Sequence, residues 1–92
     1  MTSGGWNLDE VKGCNLPQKV ATDFTAVTSE LVGADYESIA YLGSQVVNGT
    51  NYRILCIQRI TVPNADKKIV KMIINEASDG SVRLVSVSGV AL

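Results

Sequence analysis

Side chains that commonly carry out catalysis are sparse in this chain, which has no histidine, two cysteines and nine carboxylates among its 92 residues. Without histidine it lacks the usual general base, the Cys–His and Ser–His nucleophile pairs and the commonest metal ligand. Two cysteines alone cannot complete an ordinary zinc site within one chain. The sequence therefore predicts a protein that is not an enzyme, with no catalytic residue, no metal site and no cofactor.

The nine carboxylates are the remaining candidates for acid–base chemistry. Most of them fall in predicted turns, in the N-terminal segment or, like Asp23 and Glu30, on the polar face of a predicted helix. A solvated charge is the usual state of a carboxylate at such positions. We therefore expect these carboxylates to be exposed and to form no acid–base pair.

The charge balance argues against nucleic acid as a partner. The formal net charge is −1, and the nearest thing to a basic cluster is Lys67, Lys68 and Lys71, interrupted by two apolar residues. A nucleic-acid binder usually concentrates its positive charge on one face. The sequence contains no run of about 18 apolar residues, so it predicts no membrane-spanning helix. We expect a protein that binds neither nucleic acid nor membrane.

The cellular compartment and the oxidation state of the cysteines can be predicted together, because disulfides form mainly in secreted proteins. Residues 1–15 lack the basic and apolar regions of a signal peptide, which predicts a cytoplasmic protein unless a leader has been trimmed away. Two cysteines are also too few for the disulfide framework of a small secreted domain. Cys56 lies in a predicted strand, which favours a buried free thiol. A Cys14–Cys56 bridge is the alternative.

One amphipathic helix is predicted over residues 16–32. Asn15 is expected to cap its start, with Pro17 in the first turn, and Gly33 is expected to end it. Apolar residues recur there at spacings of three or four, which places them on one helix face: Leu16, Val20, Phe24, Val27 and Leu31.

Strand-like segments follow the helix at 36–47, 52–62, 69–74 and 82–87, with turns at 63–66 and 77–81 between the later ones. Asn48-Gly49 predicts a two-residue type I′ hairpin turn, with positive φ at both residues. With a short edge strand in residues 1–13, this order predicts an α+β fold in which one α-helix packs across a four- to five-stranded antiparallel β-sheet. The length fits a single domain over 1–92.

The segment Gln45–Tyr52 carries more than a hairpin signal. Its sequence, Gln-Val-Val-Asn-Gly-Thr-Asn-Tyr, resembles the cystatin signature Gln-x-Val-x-Gly in its stefin form, QVVAGTNY. It matches seven of those eight positions, with Asn48 as the departure. Gly4-Gly5-Trp6 is similar to the start of that family's N-terminal arm. The resemblance is most convincing over 43–57 and implies a cystatin-like domain of stefin type, with 1–6 as a flexible inhibitory arm.

The resemblance implies reversible, non-covalent, competitive inhibition of papain-like (cathepsin-type) cysteine proteases. Cystatins form a wedge from the N-terminal arm and two hairpin loops, which fills the cleft on both sides of the catalytic cysteine without offering a scissile bond. Carried over position by position, the protease-binding residues are expected to be Gly4, Gly5, Trp6, Gln45, Val46, Val47, Asn48, Gly49, Ser78, Asp79 and Gly80.

Two of these residues keep alternative roles. Trp6 is either a contact in an enzyme subsite or part of the domain's core. Gln45 either places its amide near polar groups of the cleft or ties down the backbone of its own loop.

Asn48-Gly49-Thr50 is also an N-glycosylation sequon. A glycan there would block the wedge, so a functional loop agrees with the cytoplasmic expectation.

The second hairpin loop departs from the family pattern. The turn Ala77–Ser81 contains Ser78, Asp79 and Gly80 where the family usually offers large apolar residues. Losing one such contact removes on the order of 1.5–3 kcal/mol of binding, and Asp79 adds a desolvation cost. We therefore expect a weaker or more selective inhibitor than a typical stefin. A non-inhibitory cystatin-fold interaction module is the alternative function.

The expected resting state is a monomer. Val46-Val47 stands beside a strained turn, and hinge loops of this kind favour exchange of identical elements between chains. Opening of the hairpin could therefore give a domain-swapped dimer, in which the tip of the wedge would be buried.

Overall fold

A computed structural model describes residues 6–7, 12–13, 16–63 and 67–90. It contains one helix and six strands: β1 (Trp6–Asn7), β2 (Lys12–Gly13), α1 (Gln18–Thr28), β3 (Ala34–Val47), β4 (Gly49–Ile60), β5 (Lys67–Glu76) and β6 (Val82–Gly89). The four long strands lie over their predicted segments and form an antiparallel sheet on which α1 packs. This is the predicted α+β fold, and it is consistent with a cystatin-like arrangement.

The sheet follows the order β1-β3-β4-β5-β6, with β2 also paired to β3. The two short strands lie antiparallel along the outer edge of β3, where Trp6 pairs with Gln45 and Lys12 pairs with Tyr41. The short early edge strand is therefore confirmed, in two pieces. Its first piece brings the start of the described chain beside Gln45.

Helix α1 begins later than the predicted residue 16. Pro17 has φ −53° and ψ 147°, an extended conformation, so it precedes the helix and does not lie in its first turn. Its carbonyl accepts the Ala21 N–H at 2.8 Å, as expected of the residue at a helix N-cap. The predicted cap Asn15 lies outside the described residues.

Helix α1 also ends earlier than predicted, at Thr28 and not at 32. The Thr28 hydroxyl donates to the Phe24 carbonyl at 2.8 Å, and the Glu30 N–H bonds to the carbonyl three residues back at 3.2 Å. Such bonds compete with the helical ladder and tighten the last turn. Gly33, with φ +89°, instead serves the connection to β3, where its carbonyl accepts the Thr61 N–H at 2.9 Å.

The predicted apolar stripe is confirmed as facing the core, although its first and last residues, Leu16 and Leu31, lie outside α1. Val20, Phe24 and Val27 are buried and Leu16 and Leu31 are partly buried. They pack with core residues of the sheet, namely Tyr41, Ile54, Cys56, Val70, Met72 and Ile74.

Cys56 is a free, fully buried thiol. Burial raises its pKa to about 12, because a thiolate is poorly solvated in an apolar core. Of the two alternatives for this residue, the structure therefore supports the buried thiol. Cys14 lies outside the described residues.

In the described parts of the chain, no helix is long and apolar enough to cross a membrane.

Candidate binding edge

The two hairpin loops lie side by side at one end of the sheet. The first loop, Val47–Gly49, connects β3 to β4 and includes the last residue of β3 and the first residue of β4. The second loop, Ala77–Ser81, connects β5 to β6. Thr50, just after the first loop, pairs with Glu76, just before the second. We call this end of the molecule, with β1 beside it, the loop edge.

The structure thus brings most of the predicted site residues together. The first-loop residues, the second-loop residues and the backbone of Trp6 all lie at the loop edge. Gly4 and Gly5 lie outside the described residues, and so does the Trp6 side chain, whose two alternative roles remain predictions.

The first loop differs from the predicted type I′ turn. A two-residue turn at Asn48-Gly49 would pair Val47 with Thr50, whereas the structure pairs Val46 with Thr50 and Val47 with Gly49. Gly49 has φ +86°. A three-residue hairpin loop that ends on a residue with positive φ fits this register. The predicted requirement for glycine at 49 holds, with a different turn around it.

Gly49 also allows two backbones to approach closely. A Cβ at this position would overlap the backbone carbonyl oxygen of Glu76 and would lie 3.0 Å from the Ala77 Cα. The first loop therefore packs backbone to backbone against the start of the second loop. No residue larger than glycine fits there without a shift of one of the loops.

Apolar surface is displayed where the first loop begins. The Val46 and Val47 side chains are 55% and 42% exposed, and Asn48 is exposed at the tip. Their β-branched side chains are stiff, so binding a partner would freeze little rotamer freedom. Neighbouring exposed valines offer apolar surface that an apolar cleft could bury.

A row of side-chain amides crosses three strands beneath the first loop. Asn51 Nδ2 donates to Gln45 Oε1 at 3.2 Å. Asn75 Nδ2 donates to Asn51 Oδ1 at 2.9 Å and lies 3.4 Å from the Asn48 carbonyl oxygen, to which it also donates. We call Gln45, Asn51 and Asn75 the amide row. Gln45 is thus tied within the domain through the Asn51 side chain.

The second loop is a turn, as predicted, and it is held by its own polar groups. The Gly80 N–H donates to the Ala77 carbonyl at 2.9 Å, and Gly80 has φ +91°. Asp79 Oδ1 accepts hydrogen bonds from the Ser81 N–H at 2.9 Å and from Ser81 Oγ at 2.7 Å. These bonds lower the pKa of Asp79, because they stabilise its carboxylate over the neutral acid.

A charged cluster between α1 and the loop edge was not predicted. Lys19 Nζ forms an ion pair with Glu76 Oε2 and lies 3.9 Å from Asp23 Oδ1. The Tyr52 hydroxyl donates to Glu76 Oε1 at 3.5 Å. The helix is therefore linked through Glu76 to the strand end against which Gly49 packs.

Asp23 corrects the expectation that the carboxylates of the helix are exposed. It is only 2% exposed, because it stands three residues after Val20 and four before Val27 and so lies on the buried face. That spacing was visible in the sequence and could have revealed it. Burial, and next the charge of Glu76, raise the pKa of Asp23, while Lys19 lowers it.

Asp23→Asn is expected to stabilise the fold at pH 7. A carboxyl whose pKa is raised on folding contributes full stability only below its ordinary pKa, and that contribution is lost as pH rises through the folded value. The neutral amide avoids this loss. Urea unfolding should show the variant more stable than wild type at pH 7, with a smaller difference near pH 4. Asp35→Asn, at an exposed position, is the control. A variant that is destabilised equally at both pH values would contradict the assignment.

The described residues contain no group of three histidine, cysteine, aspartate or glutamate side chains that could hold a metal ion. Comparisons with protein-family models, with curated proteins and with solved structures find no match to the chain. Function is therefore inferred from the loop edge and from the motif that it contains.

Proposed function

We propose that the chain is a reversible, non-covalent inhibitor of papain-like cysteine proteases, and that its loop edge fills the active-site cleft in the manner of the cystatins that its motif resembles. One observation supports this most. The residues of the Gln-x-Val-x-Gly motif form the end of β3 and the first loop, which packs against the second loop and lies beside β1.

Two valines at the end of β3, the second of which begins the first loop, supply the main contact in this proposal. Burying one exposed valine side chain in a cleft contributes on the order of 1.5 kcal/mol, and Val46 and Val47 stand next to each other. Gly49 is already fixed against the Glu76 carbonyl in the free protein. The loop therefore needs little ordering when it binds, which favours affinity.

The second loop sets a limit on affinity. Its exposed residues are Ser78, Asp79, Gly80 and Ser81, and none of them offers a large apolar side chain. Asp79 is held as a carboxylate by Ser81, so its burial in a neutral cleft would carry a desolvation penalty. We propose an inhibitor that is weaker or more selective than one with an apolar second loop.

The proposal also covers the compartment and the oligomeric state in which the inhibitor acts. It has no catalytic activity of its own, needs no cofactor, and acts as a monomer in the cytoplasm. The free Cys56 thiol is typical of a reducing compartment. The sequon at Asn48 favours the same compartment, because a glycan on the first loop would cover the loop edge.

Titration of papain with the purified chain tests this function. Hydrolysis of a small peptide substrate should fall as the chain is added, competitively with substrate and reversibly on dilution, while the chain stays uncleaved. No inhibition at tens of micromolar would contradict the proposal. That result would favour the alternative, an interaction module without inhibitory activity.

A further inference from the structure

We propose that Asn75 is a positioning residue of the loop edge, which holds the first loop in its binding conformation without contacting the protease. The inference rests on the proposed function. It assigns a role to a residue of β5, outside the motif on β3 and β4, and it makes Gln45 part of the same internal support.

Asn75 is placed to hold two groups at once. Its Nδ2 carries two hydrogens, and two acceptors lie within reach: Asn51 Oδ1 at 2.9 Å and the Asn48 carbonyl oxygen at 3.4 Å. Asn51 in turn donates to Gln45 Oε1. One amide on β5 thus joins the tip of the first loop to the row that crosses β4 and β3.

The burial of Asn75 separates it from an ordinary surface amide. Strand alternation puts Asn75 on the sheet face opposite the buried Ile74, where a polar side chain is usually exposed. Asn75 is nevertheless only 4% exposed, and the first loop reaches it through the Asn48 carbonyl. A residue this buried has almost no surface left for a protease to touch, so any effect on binding must pass through the loop.

The Asn48 carbonyl belongs to the peptide that precedes Gly49, so the bond from Asn75 sets the orientation of that peptide. Glycine adopts positive and negative φ with similar ease. Without the donor, the peptide is free to rotate, and the loop occupies its binding conformation for a smaller fraction of the time. Apparent affinity falls in proportion to that fraction.

This role predicts a particular kinetic pattern in stopped-flow binding to papain. For Asn75→Ala we expect the association rate constant to fall about tenfold, as the competent fraction shrinks, with the dissociation rate constant changed less than about twofold. Loss of a direct contact, as in Val47→Ala, should instead raise the dissociation rate. Asn75→Ser keeps one hydrogen-bond donor, so its association rate constant should lie between those of Asn75→Ala and wild type.

Gln58→Ala is the matched control, because Gln58 Nε2 donates to the Tyr36 hydroxyl at 2.9 Å in a similar bond between β4 and β3, away from the loops. Its association rate should equal that of wild type. NMR of the free proteins adds a readout that needs no protease. The Gly49 amide signal should shift and broaden in both Asn75 variants but not in Gln58→Ala, and the Gly33 signal should stay unchanged in all three.

Unchanged association rates and an unchanged Gly49 signal in a folded Asn75 variant would overturn the inference, whether or not the chain inhibits papain. If wild type does not bind papain, the proposed function fails, and the Gly49 signal alone decides whether Asn75 holds the loop. If Asn75→Ala does not fold, the same readouts on Asn75→Ser and Asn51→Ala decide.

Discussion

Gly49→Ala is expected to weaken inhibition of papain at least about 100-fold and to destabilise the fold by about 2–5 kcal/mol. A positive φ costs an ordinary residue roughly 1–2 kcal/mol, and Gly49 has φ +86°. The added Cβ would also overlap the Glu76 carbonyl, and relief of such overpacking typically costs about 1–3 kcal/mol more. Relief requires the two loops to move apart, which would change the shape of the loop edge. Urea unfolding and inhibition constants measure the two effects.

Gly33→Ala separates the two causes. Gly33 has φ +89°, but no atom lies within 4 Å of its hypothetical Cβ, and it stands at the far end of β3. The Gly33→Ala variant should lose only roughly 1–2 kcal/mol of stability, the cost of its positive φ, and should inhibit as strongly as wild type. Equal losses of stability in the two variants would contradict the close packing of the loops. Equal losses of inhibition would show that Gly49 has no special role in binding.

Replacing both Val46 and Val47 by aspartate is expected to reduce inhibition at least about 100-fold while the fold stays within about 1 kcal/mol of wild type. The change removes the apolar contact and would bury two carboxylates in the cleft, each at a cost of several kcal/mol. Stability should change little, because both side chains are about half exposed and exposed substitutions usually have small effects. Inhibition constants and urea unfolding test both parts.

Val32→Asp is the control for this variant. Val32 is 99% exposed and precedes β3, whose 14 residues span roughly 40 Å to the first loop. The same chemical change there should leave inhibition untouched. Inhibition that survives in the double variant would show that the first loop is not the contact. Similar losses in both variants would point to a general effect of charge.

The sequence predicted the elements well where periodicity was strong. The stripe from Leu16 to Leu31 indicated the buried face of the helix, and the predicted strand segments lie within the observed strands except at residues 61 and 62. The helix ends were wrong, because the extended Pro17 and the back-bonded Thr28 hydroxyl act through local geometry. Apolar spacing does not report that geometry.

Prediction of the site was more uneven. Gly49 could be identified because a tight hairpin demands glycine. The loop nevertheless has three residues, because Val46 pairs with Thr50 and Val47 with Gly49. Asn75 and Glu76 could not be found from sequence, because their partners lie more than 20 residues away. The burial of Asp23 follows from its position between Val20 and Val27 on the core-facing side of the helix, whereas its residue type alone predicts exposure.

Calorimetry with two forms of papain tests the central claim most directly. One form has a free cleft, and in the other a small covalent peptide-like inhibitor fills it. The proposal predicts one-to-one binding of the chain to the free enzyme and none to the filled enzyme, because the loop edge and the small inhibitor need the same space. Equal binding to both forms, or no binding to the free enzyme at tens of micromolar, would contradict it.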